Sequence, residues 1–189
     1  MMMSFKVCVY CASSNTLADH HYQITQQLGR SLAQHHMTLV YGGGNAGLMG
    51  TVANAVLDEG GHVIGVIPHK LASLEYAHHG INELYFVDTM YERKQMMTTL
   101  ADAFVVLPGG FGTFEELFEI WTASYIGFHN KPIILVNHDN FYQPLMTWLE
   151  GLVPQGFVKL SSFNAVTLVN TVEEAMALLE KANQSHAGN

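Results

Sequence analysis

The stretch Pro108-Gly109-Gly110-Phe111-Gly112-Thr113-Phe114-Glu115-Glu116 places two opposed chemistries in one short run. Glycines entering a helix leave backbone N–H groups free at the positive end of the helix dipole, which attracts anions such as phosphate. Glu115 and Glu116 follow at once, and they suit a cation. The run lacks the Gly-Lys-Ser/Thr of a P-loop, so nucleoside triphosphate hydrolysis finds no support. Thr113 and Glu116 also fit a capping box, in which each side chain satisfies a free backbone donor. An acid in a first turn gains from the helix dipole as well. Local physics therefore leaves both glutamates a structural role beside a chemical one.

A second candidate is Arg93, in Thr89-Met90-Tyr91-Glu92-Arg93-Lys94. Thr89 and Glu92 have capping-box spacing, and Arg93 shares a helical face with Met90, Met97 and Leu100. An arginine on an apolar stripe either meets an anion or snorkels to water. The chain has only two arginines, Arg30 and Arg93. A phosphate-bearing ligand would thus be held mainly by backbone amides, hydroxyls and very few cations. A third candidate, Gly42-Gly43-Gly44-Asn45-Ala46-Gly47-Leu48-Met49-Gly50, contains Gly-x-Gly-x-x-Gly. A dinucleotide site would need an acid about 20 residues on, and the next strand ends in Val66-Ile67-Pro68-His69-Lys70 without one. A nucleotide or sugar phosphate is the better expectation. Tight strand-to-helix packing accounts for Gly50 but poorly for three consecutive glycines.

Cys8 and Cys11 form a Cys-x-x-Cys, but strand alternation points them to opposite faces, and two further ligands at metal-site spacing are missing. The eleven histidines, among them His20-His21, His35-His36 and His78-His79, show no His-Glu-x-x-His spacing and are expected to be solvated.

These groups must be positioned by alternating short apolar runs and longer helical patterns. Strands are expected at Phe5–Tyr10, Thr38–Tyr41, His62–Ile67, Glu83–Val87, Ala103–Leu107, Pro132–Val136 and Ala165–Val169. Helices are expected near Ala18–His35, Leu48–Glu59, Tyr91–Leu100, Phe114–Ile126, Phe141–Leu152 and Val172–Ala182. The pattern predicts an α/β fold, a Rossmann-like three-layer sandwich with a mostly parallel sheet of about seven strands, as one domain over residues 1–189. Pro68–Gly80, which carries Glu75, has no period and is expected to be a long loop; Asn183–Asn189 is expected to be a frayed tail. The helix from Phe114 to Ile126 is apolar nearly all round, which predicts burial or a homodimer interface.

At 189 residues the chain can bury a core without staples. A formal charge of −8 with no basic cluster argues against nucleic acid. No apolar run nears the ~20 residues of a membrane span. The start Met1-Met2-Met3-Ser4-Phe5-Lys6 lacks the regions of a signal peptide, so a cytoplasmic location is expected.

The glycine turn at 42–50, Val63-Ile64-Gly65-Val66-Ile67-Pro68, Glu92-Arg93-Lys94 and Pro108–Glu116, in that order, resemble the LOG ("Lonely Guy") family, over about Val7 to Phe157. Its members are cytokinin riboside 5′-monophosphate phosphoribohydrolases, long described as lysine decarboxylases. The resemblance implies hydrolysis of the N-glycosidic bond of AMP or N6-modified AMP to free base and ribose 5-phosphate, without metal or organic cofactor. It implies catalytic roles for Glu116 and Arg93, with Glu115 second to Glu116. Substrate contacts are implied at Ser13, Gly43, Gly44, Asn45, Met49, Glu75, Lys94, Gly109, Gly110, Phe111, Gly112, Thr113 and Thr122. Tyr91, Ala123 and Tyr125 depart from the His, Trp and Gln common in the family, which bears on base preference. A lysine decarboxylase would need pyridoxal phosphate on a lysine, and of the six lysines only Lys94 lies in a motif. A non-catalytic nucleotide carrier is the other alternative.

Overall fold

The computed structural model describes residues 4–187, the side chains of residues 74, 75 and 187 aside. Seven parallel strands, β1 (Lys6–Tyr10), β2 (Thr38–Tyr41), β3 (Val63–Pro68), β4 (Glu83–Val87), β5 (Ala103–Val106), β6 (Ile133–Val136) and β7 (Val166–Val169), form one sheet in the order β4-β3-β2-β1-β5-β6-β7. The central strands are buried on both faces, as expected of continuous β-branched runs under helices. Helices α1 (Asp19–Gln34), α2 (Gly47–Asp58) and α8 (Val172–Ala187) pack on one face around Leu28, Leu32, Leu48, Val52 and Leu179. Helices α4 (Met90–Leu100), α5 (Phe111–Tyr125), α6 (Gln143–Glu150) and α7 (Leu160–Phe163) cover the other around Met97, Leu117, Ile120, Trp121 and Met146. Strand alternation sends Cys11 into the first core and Cys8 into the second, and both are free buried thiols.

Four expectations need correction. Pro68–Gly80 is not an open loop: α3 (His69–Leu71) runs into a π-helix, Ala72–Tyr76, and Ala77 then bridges Gly44. Backbone bonds from the neighbouring glycine turn order a segment without sequence period. Asn183–Ala187 is not frayed, because α8 continues to Ala187. Residues 188–189 and Met1–Met3 lie outside the described residues. His78 is buried at 8% exposure, hydrogen-bonded to Asn54, rather than solvated. Helix α5 starts three residues earlier than expected, at Phe111, and Thr113 and Glu116 form no capping box; its N-cap is Gly110, without a side-chain cap. The Thr89–Glu92 capping box does form on α4.

The strand order sets the position of the site. From β1 the chain steps outward through β2, β3 and β4, then returns to β5 on the other side of β1 and proceeds to β7. That reversal opens a crevice between the carboxyl ends of β1 and β5, the place where such sheets bind ligands. Ala12 N to Pro108 O and Leu107 N to Tyr10 O tie the two loops that leave it.

Candidate active site

A cavity of about 600 Å³ lies in this crevice, within the range of small-molecule sites. Of the residues singled out in the sequence, Ser13, Gly44, Met49, Arg93, Gly110, Phe111, Gly112, Thr113 and Glu116 line it. At its floor Arg93 is 7% and Glu116 9% exposed, with Nη1 3.9 Å from Oε1. The capping box on α4 seats Arg93 in the first turn. Its Nε then donates to Val66 O at 3.1 Å and its Nη2 to Gly42 O at 2.9 Å. The guanidinium is thus fixed by carbonyls on the ends of two strands, and hydrogen bonds to a charged group are worth about 1.5–3 kcal/mol each. A Cβ on Gly42 would sit 1.8 Å from Nη2, so glycine is required for this contact. Burial pushes the Glu116 carboxyl up to about 7, against the opposing pull of Arg93. A group poised there exchanges between carboxylate and acid near neutral pH.

The two glycine turns differ in what their amides do. At the start of α2 three amides are spent: Asn45 N donates to Tyr76 O at 2.7 Å, Gly47 N to Asn15 Oδ1 at 2.8 Å and Leu48 N to Ala12 O at 2.9 Å. Gly43 and Gly47 have φ of 72° and 55°, in the left-handed region that favours glycine. This turn is a structural junction that shapes the cavity wall. At the start of α5 the first helical bond runs from Phe114 N to Gly110 O, and among the described residues the amides of Gly110–Thr113 have no protein acceptor. A Cβ on Gly110 or Gly112 would meet nothing within 4 Å, and Phe111 is 96% exposed. The turn therefore offers several uncapped donors to an anion at the mouth of the cavity.

The other expected contacts lie elsewhere. Gly43 and Asn45 belong to the glycine turn but do not line the cavity, and Gly109 packs beneath Thr113. Glu115 projects away from the cavity, and Lys94 bridges it and Glu119 across α4 and α5. Burial alone would lower the Lys94 pKa, but the two glutamates raise it. Thr122 is exposed on α5, outside the cavity. Glu75 falls on the π-helix, and its side chain lies outside the described residues. Sequence reasoning missed Asn15, which anchors Gly47, and the wall residues Leu71 and Tyr76. The Ser13-Ser14-Asn15-Thr16 loop after the first strand was a readable signal for Asn15. An aperiodic segment carried none for the other two.

A parallel sheet reversing at β1/β5, with a buried carboxylate, an arginine and an uncapped helix start in the resulting crevice, defines a Rossmann-like α/β protein with a small-molecule site. A family model described as possible lysine decarboxylase matches residues 49–179. The chain is 43% identical over 170 residues to the cytokinin riboside 5′-monophosphate phosphoribohydrolase of Mycobacterium tuberculosis, covering 90% of each chain. It is 42% identical over 174 residues to the protein of that name from Rhodococcoides fascians, covering 92% of this chain and 88% of that one. The molybdenum cofactor carrier protein of Chlamydomonas reinhardtii shares the fold with a TM-score of 0.75 at 18% identity, over 96% of this chain and 99% of that one. The chain belongs to the LOG family of cytokinin riboside 5′-monophosphate phosphoribohydrolases.

Proposed function

We propose that the protein hydrolyses the N-glycosidic bond of a nucleoside 5′-monophosphate, AMP or N6-modified AMP, releasing free base and ribose 5-phosphate. One observation carries the reading: a single crevice presents open amides at one end and a buried carboxylate beside an arginine at its floor. The 5′-phosphate binds the first-turn amides of α5, Gly110–Thr113. The ribose then lies over Arg93 and Glu116, and the base against Met49, Ile67, Leu71 and Tyr76.

Breaking the glycosidic bond develops positive charge on the sugar. The Glu116 carboxylate stabilises that charge electrostatically and orients or deprotonates the attacking water. Arg93 holds the carboxylate in place while its two carbonyl bonds keep it from collapsing onto Glu116. Glu115, neutralised by Lys94, supports the arrangement of α4 against α5. The same pairing disfavours a decarboxylase chemistry through Lys94, since a Schiff-base lysine needs a lowered pKa and this one is raised.

The functional unit we propose is a homodimer. Phe118, Tyr125, Ile126 and Phe128 leave an apolar face exposed on and just after α5, with Phe128 at 82%. Incubation with AMP and with N6-isopentenyl-AMP, followed by chromatography, tests the reaction. Free base and ribose 5-phosphate are expected from the wild type, and at least about 100-fold slower release of both from Glu116→Gln or Arg93→Ala. Base release at wild-type rates by both variants would sink the site assignment.

A further inference from the structure

The cavity is closed on its β3 side by the segment His69–Gly80, whose Leu71 and Tyr76 line it. Tyr76 is half exposed, and Ser73 is exposed, so this wall is not anchored by core packing at those positions. The His69 ring stacks on Phe86 of β4 at the start of the wall, and the wall's hydrogen-bonded hold on the rest of the molecule converges near its end. Tyr76 O accepts from Asn45 N at 2.7 Å, and His78 N donates to Gly43 O at 2.9 Å, flanking the bridge between Gly44 and Ala77. The third tie is the His78 ring, buried at 8% exposure, with Nδ1 3.2 Å from Gly80 N and Nε2 2.9 Å from Asn54 Oδ1 on α2.

These contacts select one form of the ring. A backbone N–H only donates, so Nδ1 must be unprotonated to accept from Gly80. Nε2 then carries the proton and donates to Asn54 Oδ1. Burial, aided by the neighbouring His79 and opposed by a backbone hydrogen bond, lowers the pKa of His78 and favours the same neutral form. Helix α2 presents the uncharged Asn54, and the glycine turn presents only backbone. His78 is not among the residues that line the cavity, so whatever it does there it does through the wall.

We propose that His78 is a positioning residue: its ring latches the His69–Gly80 wall to α2 and holds Leu71 and Tyr76 against the nucleoside end of the substrate. This rests on the nucleotide reading above. Asn54 is exposed on α2, so Asn54→Ala removes the latch partner without opening the core. Losing one such hydrogen bond is expected to raise KM for AMP about 5- to 10-fold with kcat within about twofold. His78→Ala is expected to do the same, and the double variant to be no worse than His78→Ala alone. In the unliganded protein, amide exchange measured by NMR at Asn45 and His78 is expected to quicken in Asn54→Ala, with the amides of β1 and β5 unchanged. Unchanged exchange overturns the latch; quickened exchange with unchanged KM, or a fall in kcat at constant KM, overturns the positioning role. If the wild type releases no base from AMP, the proposed function fails, while the exchange measurement still decides the latch.

Discussion

Glu116 and Glu115 are adjacent in sequence, and the helix sends them to different environments. Glu116 is desolvated beside Arg93, whereas Glu115 is half exposed and paired with Lys94. Glu116→Gln keeps the shape and removes the charge, and turnover of AMP is expected to fall at least about 100-fold, read by base release. Where the carboxylate is the working form, kcat/KM of the wild type rises with pH through about 7 as Glu116 ionises in the free enzyme. A flat profile across pH 6 to 8 would contradict that role. The same shift has a stability consequence with a definite sign. The folded-state pKa is raised above the ordinary 4.5, so the fold favours the protonated acid. That stabilisation is complete below about 4.5 and is lost as pH rises through about 7. Glu116→Gln should therefore melt above the wild type at pH 8, with the gap shrinking towards pH 5; a gap that widens on acidification would refute it.

Glycine motifs read alike in sequence, and their elements separate them. Gly109 lies under Thr113, where a Cβ would come 2.1 Å from Oγ1 and 2.5 Å from Cβ of a buried side chain. Gly112 faces open space. Gly109→Ala should cost about 1–3 kcal/mol by overpacking. Gly112→Ala should be neutral or stabilise α5 by up to about 1 kcal/mol. Urea denaturation measures both, and equal destabilisation would mean that the turn is built differently. The start of α5 shows why such a distinction escapes sequence reading. A Thr-x-x-Glu spacing predicts a cap beginning at Thr113, yet the helix starts at Phe111 and leaves its amides uncapped. The capping bonds of Thr113 and Glu116 are given up, and both side chains are buried at the cavity instead. At α4, whose first turn lies away from the crevice except for Arg93, the same spacing produced the box as expected.

At the scale of the whole molecule, the apolar surface of α5 is divided. Leu117, Ile120 and Trp121 enter the core, while Tyr125 and Ile126 remain about half exposed. If this face joins two copies, sedimentation should give twice the 20.9 kDa chain mass for the wild type. Ile126→Glu should give the single-chain mass with an unchanged circular dichroism spectrum, because a charge there is tolerated in water but not in an apolar interface. A monomeric wild type at micromolar concentration would remove the dimer from the proposal. The face also carries Phe118 stacked on Trp121, so one substitution at its rim leaves the core pairing in place.

Hydrophobic periodicity alone determined the seven strands, six of the eight α-helices and the parallel sheet, because strand and helix periods are local properties of side-chain order, and the one-turn α3 and α7 are too short to show a period. Residue type and spacing were enough to single out Arg93, Glu116 and the turn before α5. Only the tertiary structure decided which amides stay free, which glutamate is desolvated, and that the aperiodic stretch after β3 forms the cavity wall. Those outcomes depend on contacts between segments distant in sequence: Arg93 with Gly42 and Val66, Asn15 with Gly47, and His78 with Asn54. A hydrogen bond or a burial cost is set by the partner across the crevice, and no local pattern encodes that partner.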